Sequence, residues 1–141
     1  MLKNKEKFES RDFRILAVDF DGTLAKNEYP KIGEANIRLI SMLSQLREQG
    51  KVQLILYTCR VDPYLQEAID WCKLRGLEFD AINDNVQFIK DCWDENGPKP
   101  FADWYLDDKS FPIDFDLWRS DATHPSWFIC MEALLTEDRD A

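Results

Sequence analysis

The segment Asp19-Phe20-Asp21-Gly22-Thr23 sets two carboxylates two residues apart, directly after an apolar run. In an extended chain residues i and i+2 share a side. Asp19 and Asp21 are therefore expected to face one cleft while Phe20 packs the opposite way, and Gly22 lets the chain turn sharply. Two carboxylates so placed repel unless a hard cation lies between them or one holds a proton. The plainer alternative is an acidic turn at a strand end. A second pair, Asp107-Asp108, closes the short apolar run Trp104-Tyr105-Leu106. Thr58-Cys59-Arg60 offers a hydroxyl and a guanidinium, both able to hold phosphate oxygens, although threonine also caps strands and helices for ordinary reasons. Lys99, within Gly97-Pro98-Lys99-Pro100, adds an ammonium group, with Lys90 and Lys109 as nearby competitors.

These residues need elements that bring them together, and the alternation of apolar runs with amphipathic segments supplies them. Residues 14–20 are short, apolar and partly β-branched, and stop at Asp21-Gly22-Thr23, as a buried strand does. Over residues 34–49, Leu39, Leu43 and Leu46 recur at i, i+4 and i+7 with Gly50 as the stop, which predicts a helix. Residues 52–57 read as a second buried strand. Asp62-Pro63 then opens a helix carrying Leu65, Ala68, Ile69 and Cys72 and ending at Gly76. Further expectations are a strand at 79–82, helices at 86–93 and 126–135, and a strand at 104–106. Strands alternating with helices imply parallel pairing through right-handed crossovers. The expected fold class is therefore α/β: a three-layer α/β/α, Rossmann-like sandwich with a central, mainly parallel sheet and its site at the carboxyl ends of the strands.

The composition bounds what such a site can serve. The 141 residues, 45% hydrophobic, suffice for one sizeable core, so a single domain over 1–141 is expected, with 1–12 as a polar N-terminal extension. A net charge of −9 disfavours nonspecific nucleic-acid binding. Cys59, Cys72, Cys92 and Cys130 form no Cys-x-x-Cys pair, and His124 is the only histidine, which suggests neither a zinc site nor a disulfide framework. The charged first fourteen residues, and the lack of any apolar run near the ~20 residues that cross a bilayer, lead us to expect a cytoplasmic protein with no membrane association.

In chain order, Asp19-Phe20-Asp21-Gly22-Thr23-Leu24, Thr58, Lys99 and Asp107-Asp108 resemble the four signature motifs of the haloacid dehalogenase (HAD) superfamily. The likeness spans most of the chain, from the first strand to Asp108. The stretch 102–109 further resembles small, capless members. What the resemblance implies is a magnesium-dependent phosphatase acting on a phosphate monoester through an aspartyl-phosphate. Asp19 would attack phosphorus, and Asp21 would serve as general acid and base. Thr58 and Lys99 would hold the phosphate, with Gly22, Thr23 and Arg60 as further substrate contacts. Asp19, Asp21 (through its backbone carbonyl), Asp107 and Asp108 would form the magnesium site. Members that cleave carbon–halogen bonds resemble this pattern but lack the second aspartate, since halide needs no proton to leave; Asp21 therefore favours phosphoryl transfer to water. Thr23 to Val52 leaves room for a loop and one helix only, so no large cap domain is expected and the site should be open. Asn83 and Asn85 are candidate substrate contacts, with a turn and helix cap as the plainer alternative.

Two rivals stay open at this stage. A response-regulator receiver also carries a magnesium-binding acidic pair, a phosphorylated aspartate, a threonine and a lysine, but resembles a layout with the acidic pair first and the acceptor on a middle strand. The other is a catalytically inactive HAD-fold binding protein. The residues name no physiological substrate: a small-molecule phosphate ester is expected, and phosphorylated nucleic-acid ends stay admissible.

Overall fold

The computed structural model of the chain describes residues 2–110. The expected helix at 126–135, the aromatic tail at 111–118 and 127–128, and His124 and Cys130 lie outside the described residues. Four strands, β1 (Arg14–Val18), β4 (Val52–Leu56), β5 (Ala81–Ile82) and β6 (Trp104–Leu106), form a parallel sheet in the order β5-β4-β1-β6. Alternate residues of β1 and β4 feed two separate cores. Leu16, Val18, Leu54 and Leu56 pack beneath α2 (Ile37–Glu48) and α3 (Tyr64–Leu74), whereas Ile15, Ala17 and Ile55 pack beneath α4 (Gln87–Cys92) and Phe8 of α1 (Lys5–Glu9). The chain is thus an α/β protein of three layers, with helices on both faces of the sheet, as a strand buried on both sides requires. It leaves β1 toward one edge over the first face and reaches β6, on the other side of β1, over the second. That reversal makes the carboxyl ends of β1 and β6 the topological switch point, where open α/β sheets bind their ligands.

Three expectations are corrected. The segment after Thr23 is not a plain loop: β2 (Ala25–Glu28) and β3 (Lys31–Ala35) pair as an antiparallel hairpin. Its residues are mostly exposed and show no clean apolar alternation, so the periodicity that reveals a half-buried strand is missing. The helix expected from residue 34 accordingly begins later, at Ile37. Asn36 caps it, accepting from the Leu39 amide at 3.3 Å and donating to the Thr23 carbonyl at 3.2 Å, so the cap also anchors the turn after β1.

Residues 2–12 are no detached polar extension either. Phe8 meets Trp93 and Phe101 edge-on, and the Arg11 guanidinium lies 4.7 Å from the Phe8 ring centroid while pairing with both carboxylate oxygens of Asp103 at 2.5 and 2.6 Å. Asp103 also accepts from the Ile15 amide at 2.8 Å, which ties the N-terminal segment to the first residues of β1 and β6. Burial works to raise the Asp103 pKa, but the hydrogen bonds from Arg11 and Ile15 and the Arg11 charge outweigh it and hold the carboxyl below its usual range. Replacing Asp103 with alanine leaves a nearly buried guanidinium and a strand amide without partners. A loss of about 3 kcal/mol is expected by urea unfolding.

Candidate active site at the carboxyl edge of the sheet

Parallel register assembles the site from distant segments. Val18 pairs with Leu106 across β1 and β6, so the next residues, Asp19 and Asp107, emerge side by side; the Asp19 amide donates to the Leu106 carbonyl at 2.9 Å. Val18 also pairs with Leu56, which brings the chain beyond β4, and hence Thr58, to the same edge. Asp19, Asp107 and Asp108 each direct a carboxylate oxygen to a common point, with those oxygens within 4.8 Å of one another. Burial raises the Asp19 pKa from 3.8 to about 7; a hydrogen bond from the Phe20 amide opposes this, and the charges of Asp107 and Asp108 add to it. Ionisation of Asp19 beside two other carboxylates is therefore unfavourable without a compensating cation. An all-oxygen set of three carboxylates converging on one point fits a hard divalent ion. Lys109 sets an exposed ammonium 3.5 Å from Asp108.

The turn that carries the first motif is built from its own backbone. The Phe20 carbonyl accepts from the amides of Thr23, Leu24 and Ala25 at 3.0–3.2 Å, and the Gly22 amide donates to the Ala25 carbonyl at 2.7 Å. Gly22 adopts φ +87°, and a Cβ there would overlap the Asp108 carboxylate. The glycine is thus required twice, by backbone conformation and by the close approach of the acidic pair. Its amide and that of Thr23 are used inside the turn, so the expected substrate contacts at Gly22 and Thr23 find no free backbone donor in this arrangement. The Thr23 hydroxyl oxygen is buried with no hydrogen-bond partner among the described residues.

Asp21 departs from the shared cleft that residue alternation suggests. β1 ends at Val18, so the two-residue period lapses before Asp21. Its carboxylate turns to Arg60, pairing with Nε and Nη2 at 2.7 Å each, and does not join the three clustered carboxylates. Arg60, expected as a phosphate contact, is buried and commits its guanidinium to protein acceptors. Thr58 stays available. Its hydroxyl oxygen accepts from the Arg60 amide at 3.1 Å, which leaves its proton to donate, while its own amide is held at 2.8 Å by the Asn83 side chain from beyond β5.

Asn83 and Asn85 follow the plainer alternative of turn and brace. Asn83 occupies a left-handed conformation at φ 49° and ties two strand ends together. Asn85 is buried, accepting from the Phe101 amide at 2.6 Å and donating to Asn96 at 2.8 Å. Of the three lysines, Lys90 pairs with Asp84 at 2.6 Å and Lys109 with Asp108. Lys99 lies over the Tyr105 ring, 4.6 Å from its centroid, beside the strand that ends in the acidic pair, and has no carboxylate partner among the described residues. Sequence reasoning missed the Phe20 amide facing Asp19 and the hairpin tip at Pro30 and Lys31. Backbone donors and acceptors leave no mark in residue type.

Fold and rim together define an α/β protein with a four-stranded parallel sheet and a carboxylate cluster at its carboxyl edge. Among solved structures the chain is similar to a conserved protein of Bacteroides thetaiotaomicron, at 34% identity and a TM-score of 0.65, the likeness covering 87% of this chain and 90% of that one. The chain belongs to the same family as that conserved protein. Neither a family model nor a curated protein matches it.

Proposed function

We propose that the chain is a magnesium-dependent phosphohydrolase of the HAD type that removes a phosphoryl group from a phosphate monoester. The observation that carries this reading is the convergence of Asp19, Asp107 and Asp108 on one point at the edge that also holds Thr58. A phosphate monoester and an attacking carboxylate are both anionic, and at ~4 Å two unit charges repel by about 4 kcal/mol at an intermediate dielectric. A bound magnesium ion would supply the offsetting charge, with Asp19, the Asp21 carbonyl and Asp107 as its protein ligands and Asp108 orienting its waters. Asp19 attacks phosphorus to give an aspartyl-phosphate, and the ester oxygen leaves with a proton from Asp21. Asp21 then takes a proton from water as that water attacks phosphorus, which frees Asp19 and releases inorganic phosphate. Thr58 and Lys99 hold the equatorial oxygens throughout.

The test is turnover of a chromogenic phosphate ester with magnesium and with excess chelator, for wild type and Asp21→Asn. Sustained, chelator-sensitive turnover that the variant lacks is expected. Transient labelling without turnover would favour a receiver, and inactivity on a broad phosphate panel a binding protein.

Lysine assignment follows from the pairings above. Lys99→Ala should lower kcat/KM by about 100-fold, the cost of losing one transition-state donor. Lys90→Ala and Lys109→Ala should stay within roughly threefold, as exposed ion pairs contribute little. A larger loss at Lys90 or Lys109 than at Lys99 would reassign the phosphate-holding role.

A further inference from the structure

Arg60 is the most heavily committed polar side chain among the described residues, 2% exposed and held between two rings, with its guanidinium carbon 4.9 Å from the Phe20 centroid and 5.1 Å from the Tyr29 centroid. A guanidinium has five N–H donors in a rigid fork, and here each finds an acceptor. Nε and Nη2 bind the two Asp21 oxygens at 2.7 Å, and Nη2 also binds the Lys31 carbonyl at 3.1 Å. Nη1 binds the carbonyls of Pro30 at 3.2 Å and Tyr64 at 3.4 Å. A planar group fixed at five points has one position. It joins three segments: the turn bearing Asp21, the tip of the β2–β3 hairpin, and the first residue of α3.

We infer that Arg60 is a positioning residue that locks Asp21 and the β2–β3 hairpin into one unit, so that the carboxylate exchanging protons with the leaving oxygen is set by the hairpin tip. The bidentate pair occupies one lone pair on each Asp21 oxygen and leaves others for the substrate. Asp21 itself is carried by a turn closed by hydrogen bonds within residues 20–25 and anchored to Asn36 through the Thr23 and Leu24 carbonyls. Among the described residues the Asp21 side chain pairs with Arg60, and through it Asp21 reports the place of Pro30 and Lys31. Tyr29, 53% exposed at that tip and edge-on to Tyr64 at 5.7 Å, extends the unit to the surface.

The catalytic part of this inference rests on the phosphohydrolase reading, so the test has two arms. In the first, Arg60→Lys keeps the charge but not the fork. For an alkyl phosphate, whose leaving oxygen needs a proton, kcat/KM, which reports the first phosphoryl transfer and not the later attack of water, should fall about a hundredfold, whereas for a nitrophenyl phosphate, whose leaving oxygen needs almost none, it should fall by no more than about fivefold. Equal losses in kcat/KM on both substrates would mean a merely structural role and overturn the inference. In the second arm, amide hydrogen exchange is followed over residues 26–35 in the full chain. Exchange should quicken about tenfold or more in both Arg60→Lys and Asp21→Asn, although neither residue lies in the hairpin. Unchanged exchange in either folded variant overturns the coupling. Asp21→Asn, nearly isosteric, keeps this arm decisive if Arg60→Lys does not fold. Should wild type turn over neither substrate, the phosphohydrolase reading fails by itself, and exchange still decides whether Arg60 links the two segments.

Discussion

Asp19→Asn is expected to abolish turnover and, at the same time, to stabilise the metal-free protein at pH 8. The loss follows from removing the proposed nucleophile, for which a fall of about 10⁴-fold or more in kcat is usual. The gain in stability follows from the setting of the carboxylate. Burial and the neighbouring Asp107 and Asp108 lift its pKa from 3.8 to about 7, so the folded chain holds a proton there that the unfolded chain has already released. Between about pH 4 and pH 7 the folded state therefore binds more protons than the unfolded state, and stability falls as pH rises through that window. Above it the full penalty of the ionised group is present. Asparagine removes that charge. Allowing for solvent that still reaches the half-buried carboxylate, the variant should gain about 1–2 kcal/mol at pH 8, a rise of roughly 4–8 °C in melting temperature. The difference between wild type and variant should vanish toward pH 4. Saturating magnesium should stabilise wild type and leave the variant unmoved. Thermal melts at pH 4, 6 and 8, with magnesium and with chelator, decide it; a variant less stable than wild type at pH 8 without metal would show that the three carboxylates do not strain the fold.

Gly22→Ala carries the second large effect, and it separates backbone strain from damage to the site. At φ +87° an alanine is strained by about 1–2 kcal/mol, and its methyl group would overlap the Asp108 carboxylate. Asp108 can rotate away, so the chain should still fold, but the acidic cluster should open. Magnesium affinity is expected to fall about 10- to 100-fold, with a stability loss of about 1–3 kcal/mol. Gly50→Ala is the control. It has a similar φ of +70° but nothing within 4 Å of the added carbon, so it should show the strain alone and leave magnesium binding intact. Calorimetric titration of magnesium and urea unfolding of both variants make the comparison. Equal magnesium affinity in wild type and Gly22→Ala would remove Asp108 from the metal site.

The candidate site was legible where chemistry and periodicity coincide. Leu39, Leu43 and Leu46 at helical spacing marked α2 without ambiguity, because an amphipathic helix must repeat its apolar face. The runs before Asp19 and Thr58 were legible as strands because a sheet covered on both faces makes them apolar throughout. The hairpin after Thr23 escaped because Lys26, Asn27 and Glu28 are all exposed and leave no alternating mark. The N-terminal helix escaped for a related reason. Phe8 is one apolar residue among charged neighbours, and only its stacking with Trp93 and Phe101, some ninety residues away, makes it part of the fold.

Residue order alone was enough to establish which side chains stand at strand ends and which chemistry they admit, since a strand that stops at a polar turn must deliver its last side chains to the edge of a parallel sheet. Only the tertiary structure could decide how those groups divide. The register of β1 against β6 joins Asp19 to Asp107 and Asp108, while the turn after Val18 rotates Asp21 toward a buried Arg60 thirty-nine residues on. The reason is geometric: the alternation of side chains holds while the chain is extended and lapses at the first turn, after which the nearest unmet hydrogen-bonding partner sets the direction.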